Sequence, residues 1–270
     1  MTRALLRHAT TTVAFCLSAI TLTAQTAQTV DHTDFDRLLK AHVRNGLVDY
    51  DAFKSSPVFA GYLKKLAAVD PSSLPRNEQL ALWINAYNAY TIQLINVKNE
   101  RTSIRNVNKS LGLLRLKGPW SEKFAIVGGK TYTLDDIEQR TIRPQFREPR
   151  IHFALVCAAI GCPPLRSEAY TGARLEAQLN DQTVEFLTQT PAKNRVDAAS
   201  RTVYRSQVFS FSDYMKDFGG SEAAVGRFIA RYYPAGPEKT LLESGEYTVV
   251  KTDYDWSLNS VANARLVKTR

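Results

Sequence analysis

The stretch from Pro75 to about residue 98 limits the possible folds more than any other part of the chain. It reads Pro-Arg-Asn-Glu-Gln-Leu-Ala-Leu-Trp-Ile-Asn-Ala-Tyr-Asn-Ala-Tyr-Thr-Ile-Gln-Leu-Ile-Asn-Val-Lys. Leu80, Trp83, Ile84, Tyr87, Tyr90 and Leu94 recur at helical spacing, and Leu82, Ala86 and Ala89 form a second, small-residue face. A helix apolar over so much of its circumference belongs inside a domain, with Pro75 at its start. Three polar residues interrupt it. At about 100° per residue, Glu78 and Asn85 lie about 20° apart and Asn88 about 60° further round, so the three share a face. Asparagine is a poor helix former, so two of them in mid-helix need a reason. Either they hydrogen-bond neighbouring backbone and pin the packing, or they orient a catalytic side chain or a ligand.

Other elements are expected around this helix. A helix capped by Thr33 carries Phe35, Leu38, Leu39 and Val43 and ends at Gly46. Residues 48–50 read as a short extended piece, and a second helix spans Pro57 to Ala68. Residues 124–127 and 131–133 around Gly128-Gly129 read as a β-hairpin. Thr133 and Asp136 then form a capping-box-like start to a helix reaching about Phe146. An amphipathic helix is expected over 172–189 and a second hairpin over 195–204. Ser210 or Ser212 should cap a short helix through Met215, and Ser221 a last helix to about Tyr233, before a strand at 247–251. The fold class expected is α+β: a single mostly helical domain over about 31–262, with small antiparallel hairpins around one long buried helix.

Function points to a different stretch, Arg150 to Leu165, which is apolar from Phe153 to Ile160 and holds His152, Cys157 and Cys162. The two cysteines are five residues apart. In a continuous helix their Cα atoms would be roughly 8–9 Å apart, beyond disulfide reach, so a bridge requires the backbone to bend near Gly161. A loop this small would gain only about 2 kcal/mol, which makes the bond a local clamp. If the thiols are free, Cys157 is the candidate nucleophile and His152 the nearest base in sequence. Their spacing puts them about 140° apart on a helix and on opposite faces of a strand, so a dyad needs an irregular segment. Glu78, Asn85, Asn88 or Asp255 could orient the histidine, and Asp255-Trp256 forms a further candidate contact turn. A metal site is not expected, because His152, Cys157 and Cys162 lack tetrahedral-site spacing.

The N-terminus reads as a signal peptide over 1–24. Arg3, Arg7 and His8 form a basic start, an apolar run covers 13–24, and Leu22-Thr23-Ala24 resembles a small-residue cleavage site. Cys16 would leave with it, and export would place the remaining cysteines in an oxidising compartment. The formal net charge of +9 falls to +7 without Arg3 and Arg7. The cations are dispersed: Arg101, Arg105, Lys109, Arg115, Lys117 and a basic tail at 263–270 read as solvated faces, so no nucleic-acid partner is expected. No integral membrane span is expected after signal removal. No phosphate loop, dinucleotide fingerprint, zinc-protease helix or nucleophile-elbow serine occurs, so no cofactor is expected.

Three stretches together are recognisable: Asn77-Glu-Gln-Leu-Ala-Leu-Trp-Ile-Asn-Ala-Tyr-Asn-Ala, Pro149-Arg-Ile-His-Phe-Ala-Leu-Val-Cys-Ala-Ala-Ile-Gly-Cys-Pro-Pro-Leu, and Tyr254-Asp-Trp-Ser-Leu-Asn. With Leu134-Asp-Asp-Ile-Glu and Thr141-Ile-Arg, they resemble the domain of unknown function number 547 over roughly residues 75–265. The resemblance implies no assigned activity. The leading reading is an exported binding or structural module of the cell envelope, clamped by Cys157–Cys162 and contacting an envelope peptide, glycan or protein. The alternative is cysteine-dependent acyl transfer, hydrolytic or transglutaminase-like, at Cys157. Thiol–disulfide exchange is a lesser alternative, since the two-residue redox spacing and a βαβ pattern are both missing.

Overall fold

A computed structural model describes residues 28–107, 118–211 and 213–264. The expected signal peptide with Cys16, the cations Lys109, Arg115 and Lys117, the candidate cap Ser212 and most of the basic tail lie outside these residues.

The first layer forms from local signals. Helix α1 (Thr33–His42) buries Phe35, Leu38 and Leu39. Thr33 is its first residue rather than its cap, and the Asp31 carboxylate accepts the Thr33 N–H at 3.0 Å. The helix stops at His42, before Gly46, because strands β1 (Val43–Arg44) and β2 (Leu47–Val48) pair across an Asn45-Gly46 turn with both residues at positive φ. Residues 50–54 are a short helix α2 (Tyr50–Lys54), not extended chain. Asp49 caps it by accepting the Ala52 N–H at 3.1 Å, and five residues are too few to show a helical period. Helix α3 (Pro57–Ala68) follows with Ser56 as cap.

Helix α4 (Arg76–Val97) is the interior element, and every residue from Leu80 to Ile92 is buried. Strands β3 (Ala125–Val127) and β4 (Lys130–Tyr132) form the expected hairpin, whose Gly128 and Gly129 N–H groups donate to the last carbonyls of α3. The reciprocal Thr133/Asp136 cap is present at 3.0 and 2.8 Å. It opens a π-helical segment, Asp136–Ile142, which continues as α5 (Arg143–Phe146). One turn of helix, α6 (Ile151–Ala154), leads into an irregular strap from Leu155 to Tyr170, and α7 (Leu175–Thr188) follows.

Residues 195–251 supply most of a second group of elements, and residues 254–260 return to the first. Strand β5 (Arg195–Asp197) pairs antiparallel with β6 (Thr202–Arg205), and the late strand β7 (Thr248–Lys251) joins β6 in parallel. The short helix is α8 (Tyr214–Asp217), preceded by Asp213 at φ 63, while Ser210 ends a separate 3₁₀ turn. Ser221 caps α9 (Glu222–Ala230) as expected. A further helix, α10 (Pro237–Ser244), buries only the adjacent pair Leu241 and Leu242, a pattern with no helical period to read.

Two apolar cores result. The larger surrounds α4 and includes the strap, and the smaller is built from Phe186, Phe209, Phe218, Phe228 and neighbours. Their seam runs through α6, where Ile151 and Ala154 belong to the first core and Phe153 to the second. Tyr254 packs against both.

Candidate functional site

The strap is gripped from two sides. On one side stands α4. Asn88 donates to the Ala154 carbonyl (2.9 Å) and accepts from the Val156 N–H (2.9 Å). Asn85 makes the same two-way contact with Tyr170, at 2.7 and 2.9 Å. Glu78 lies against Gly172, where a Cβ would overlap its carboxyl. The face deduced from helical arithmetic therefore looks onto one continuous run of chain, from Ala154 to Gly172. On the other side is the turn at residues 254–259. Gly161 donates to the Asp255 carbonyl and Ile160 to the Ser257 carbonyl, both at 2.8 Å, and Asn259 donates to Ala158 at 3.1 Å.

Held this way, the strap brings its two cysteines together. Cys157 and Cys162 form a disulfide with Cα atoms 6.2 Å apart. The bend it requires falls at Ala158, with φ 62, and at a turn closed by Cys162 N–H to Ala159 C=O at 3.1 Å. Gly161 lies within that turn, as the expected bend near it requires, and has a second task. A Cβ there would stand 2.8 Å from the Tyr254 ring and 2.9 Å from the Asp255 nitrogen, so the glycine admits the neighbouring turn. Cys157 is partly exposed and Cys162 is buried. The Cys157 N–H donates to Cys162 Sγ at 3.1 Å, and the Tyr254 hydroxyl lies 3.1 Å from each sulfur.

The disulfide lines a cleft of about 280 Å³ on the seam between the cores. Trp120, Phe211, Tyr214, Tyr254 and Trp256 supply aromatic walls. Tyr254 and Trp256 have ring centroids 4.5 Å apart, and Trp120 meets Trp256 edge-on at 6.4 Å. Asp255 does not line this cleft. It lines a second cavity of about 320 Å³ behind the strap, where Lys193 donates to the Cys162 carbonyl at 2.5 Å. Burial pushes the Lys193 ammonium down to about 8. Cys162 and Pro163 line both spaces, so the strap is the wall between them.

His152 also lines the cleft, at its polar end. Its Nε2 lies 2.7 Å from Asp217 Oδ2, and its ring stacks on Tyr214 with centroids 3.9 Å apart. A carboxylate can only accept, so Nε2 carries the proton and Nδ1 the lone pair. Nδ1 makes no hydrogen bond and faces Glu138 Oε1 at 3.8 Å. Tyr214 donates to the same Glu138 oxygen. Arg143 Nε donates to the same Asp217 oxygen at 2.6 Å.

Burial pushes the Glu138 carboxyl up to about 7, against the Tyr214 hydrogen bond. Burial also pushes the His152 imidazole below its usual value, against Asp217. At Asp217 burial would raise the carboxyl, but the His152 and Arg143 hydrogen bonds outweigh it and hold it at about 2. The cluster therefore presents a neutral imidazole, a carboxyl poised near neutrality and an ionised carboxylate within one wall. Such groups can hold, donate or accept protons for a polar ligand.

The structure thus gathers His152, Cys157 and Trp256 at one cleft and puts Asp255 behind it. Asn85 and Asn88 are spent on backbone. The Cys157 sulfur is bonded to Cys162, and both His152 nitrogens face carboxyl groups rather than sulfur. Glu138, Tyr214, Asp217 and Tyr254 were not named as candidate site residues, although Glu138 and Tyr254 lie in two of the recognisable stretches. For Glu138 a signal existed: it stands four residues after Leu134 and one after Ile137, a carboxylate beside a helical apolar stripe. Tyr214 and Asp217 carry no such mark, since only the packing of α8 brings them to His152.

No helix among the described residues is long and apolar enough to cross a membrane. Among the same residues, no group of three or more His, Cys, Asp or Glu side chains is arranged to hold a metal ion. No curated protein matches the chain. No solved structure matches it either. Residues 71–187, from the turn before α4 through the disulfide strap to the last turn of α7, match the family described as Protein of unknown function, DUF547, the family whose motifs the sequence carries.

Proposed function

We propose that this chain is an exported binding module of the cell envelope and that the aromatic cleft is its ligand site. The observation behind this reading is the joining of two features in one concavity: a stack of aromatic rings and a buried Glu138–His152–Asp217 cluster with His152 Nδ1 unused. Apolar walls with a few convergent polar groups are the usual composition of a small-ligand site. The fitting ligand is a segment of envelope peptide or glycan that lays a flat face on Tyr254 and Trp256 and directs hydroxyl or amide groups at the polar end. Export is supported by the basic-then-apolar N-terminal pattern and by cysteines at bonding distance, a pairing that lasts in oxidising compartments. The disulfide is the clamp that shapes the cleft floor.

The acyl-transfer reading gains no support from the geometry, because it needs a Cys157 thiolate and an imidazole free to pair with it.

Tryptophan emission tests the proposal. Of the three tryptophans, Trp120 and Trp256 line the cleft, while Trp83 is buried against Tyr132. Titration with solubilised envelope glycan and peptide fragments should give a saturable emission change that disappears in a Trp120→Phe, Trp256→Phe double variant. A change of equal size in that variant, or none with any fragment, refutes the cleft as the ligand site. N-terminal sequencing of secreted protein checks export, with the mature chain expected to begin near residue 25.

A further inference from the structure

We infer that the Cys157–Cys162 bridge is also a thiol–disulfide exchange centre, in which an incoming dithiol attacks Cys157 and Cys162 is the leaving sulfur. Three observations set that direction. Cys157 is partly exposed and opens on the cleft, whereas Cys162 is 2% exposed, so an attacking sulfur reaches Cys157 first. One donor is placed for the leaving sulfur alone: the Cys157 N–H points at Cys162 Sγ from 3.1 Å, while the Tyr254 hydroxyl, 3.1 Å from each sulfur, serves whichever one carries the charge. A structural disulfide has little use for a hydrogen-bond donor, but a thiolate is strongly stabilised by one. Burial pushes the Tyr254 phenol well up, so it remains a donor at any pH where exchange would occur. Finally, the Lys193 ammonium sits on the Cys162 carbonyl, placing positive charge beside the residue that becomes anionic.

The step balances as follows. A thiolate of the dithiol forms a bond to Cys157 Sγ, the Cys157–Cys162 bond breaks, and its electron pair leaves on Cys162 Sγ. The dithiol's second thiolate then attacks its own sulfur in the mixed disulfide and releases Cys157 as thiolate. The dithiol is oxidised to a disulfide, the bridge is reduced, and the two protons lost by the dithiol are matched by two taken up as the cysteines become thiols. The inference stands apart from the ligand reading, since a small dithiol needs only the cleft mouth.

Dithiothreitol applied to the intact folded protein is the test, with thiols counted by alkylation and mass while circular dichroism follows the fold. Two thiols per chain should appear with the spectrum unchanged. In oxidised glutathione, Cys162→Ser should trap a mixed disulfide at Cys157 at least about ten times faster than Cys157→Ser traps one at Cys162. Tyr254→Phe keeps the bridge and covers the case of a cysteine variant that does not fold. It should slow reduction roughly tenfold and move the alkylation of reduced Cys162 to higher pH, as expected for loss of one hydrogen bond to a charged sulfur. A bridge that yields only after denaturation, equal trapping by the two cysteine variants, or an unchanged pH profile in Tyr254→Phe would overturn the inference and leave the bridge a clamp. Any of these results leaves the fluorescence test of the ligand site intact.

Discussion

Two sets of buried polar side chains meet the α6–strap segment, and they are treated differently. Asn85 and Asn88 spend both ends of their amides on backbone, each donating to a carbonyl and accepting from an N–H of the strap region. Glu138, His152 and Asp217 are no less deliberate in placement, but their valences do not close. His152 Nδ1 has no hydrogen bond, and the Glu138 carboxyl is lifted to about 7 by burial. Closed polar contacts fix a shape; open ones, facing a cavity, leave interactions for something else to complete. The first set is scaffold and the second is site.

The largest effect that could break this division is on the scaffold side. Asn88→Ala strands the Ala154 carbonyl and the Val156 N–H inside the core, and a loss of about 3 kcal/mol in denaturant unfolding is expected. A near-neutral stability change together with loss of the ligand response would move Asn88 into the site. Next comes Asp217→Asn, with an expected cost of about 1 kcal/mol at neutral pH, because the carboxylate is still partly exposed. The native carboxyl sits at about 2, below its unfolded value of 3.8, so its stabilisation is complete above 3.8 and is lost as pH falls towards 2. The variant should lack that acid-side loss, and parallel acid-unfolding curves would argue against the pairing.

The smallest and sharpest effect belongs to Glu138. Its native carboxyl is raised, so the folded state holds the proton more tightly than the unfolded chain, and this contribution is full below about 4.5 and lost as pH rises through about 7. Glu138→Gln does not ionise. Its cost should be under about 1 kcal/mol near pH 5 and should shrink steadily towards pH 8. A difference from the parent that stays constant over that range would show Glu138 to be an ordinary carboxylate.

Much of the scaffold was legible because its signals are local. Ser56 and Pro57 start α3, the Gly128-Gly129 pair turns the β3–β4 hairpin, and Thr133 with Asp136 caps the segment that carries Glu138. The shared face of Glu78, Asn85 and Asn88 also follows from helical spacing alone. Helices α2 and α10 escaped, the one too short and the other burying only a neighbouring pair, so neither shows a period. The polar end of the cleft escaped for another reason. His152 meets Asp217 across 65 positions and Tyr214 meets Glu138 across 76, and no spacing rule reaches so far. The parallel pairing of β7 with β6 is a long-range event of the same kind.

The stitching of residues 254–259 into the opposite end of the chain bears on how the molecule is made. Asn259 accepts hydrogen bonds from Val48 N–H at 2.8 Å and from the Tyr50 hydroxyl at 2.6 Å, and Leu258 donates to Thr102 at 2.7 Å. Tyr254 and Trp256, the rings that complete the cleft, belong to this late segment. Helices α1 to α4 can associate through contacts close in sequence, yet one wall of the cleft is supplied by rings more than 90 residues after the strap's cysteines. Loop closure over such separations is slow, so the last seam to shut during maturation should be the one beside the disulfide. A chain ending after α7 would carry both cysteines and all of α4, and still lack Phe211, Tyr214, Tyr254 and Trp256 of the cleft's aromatic lining.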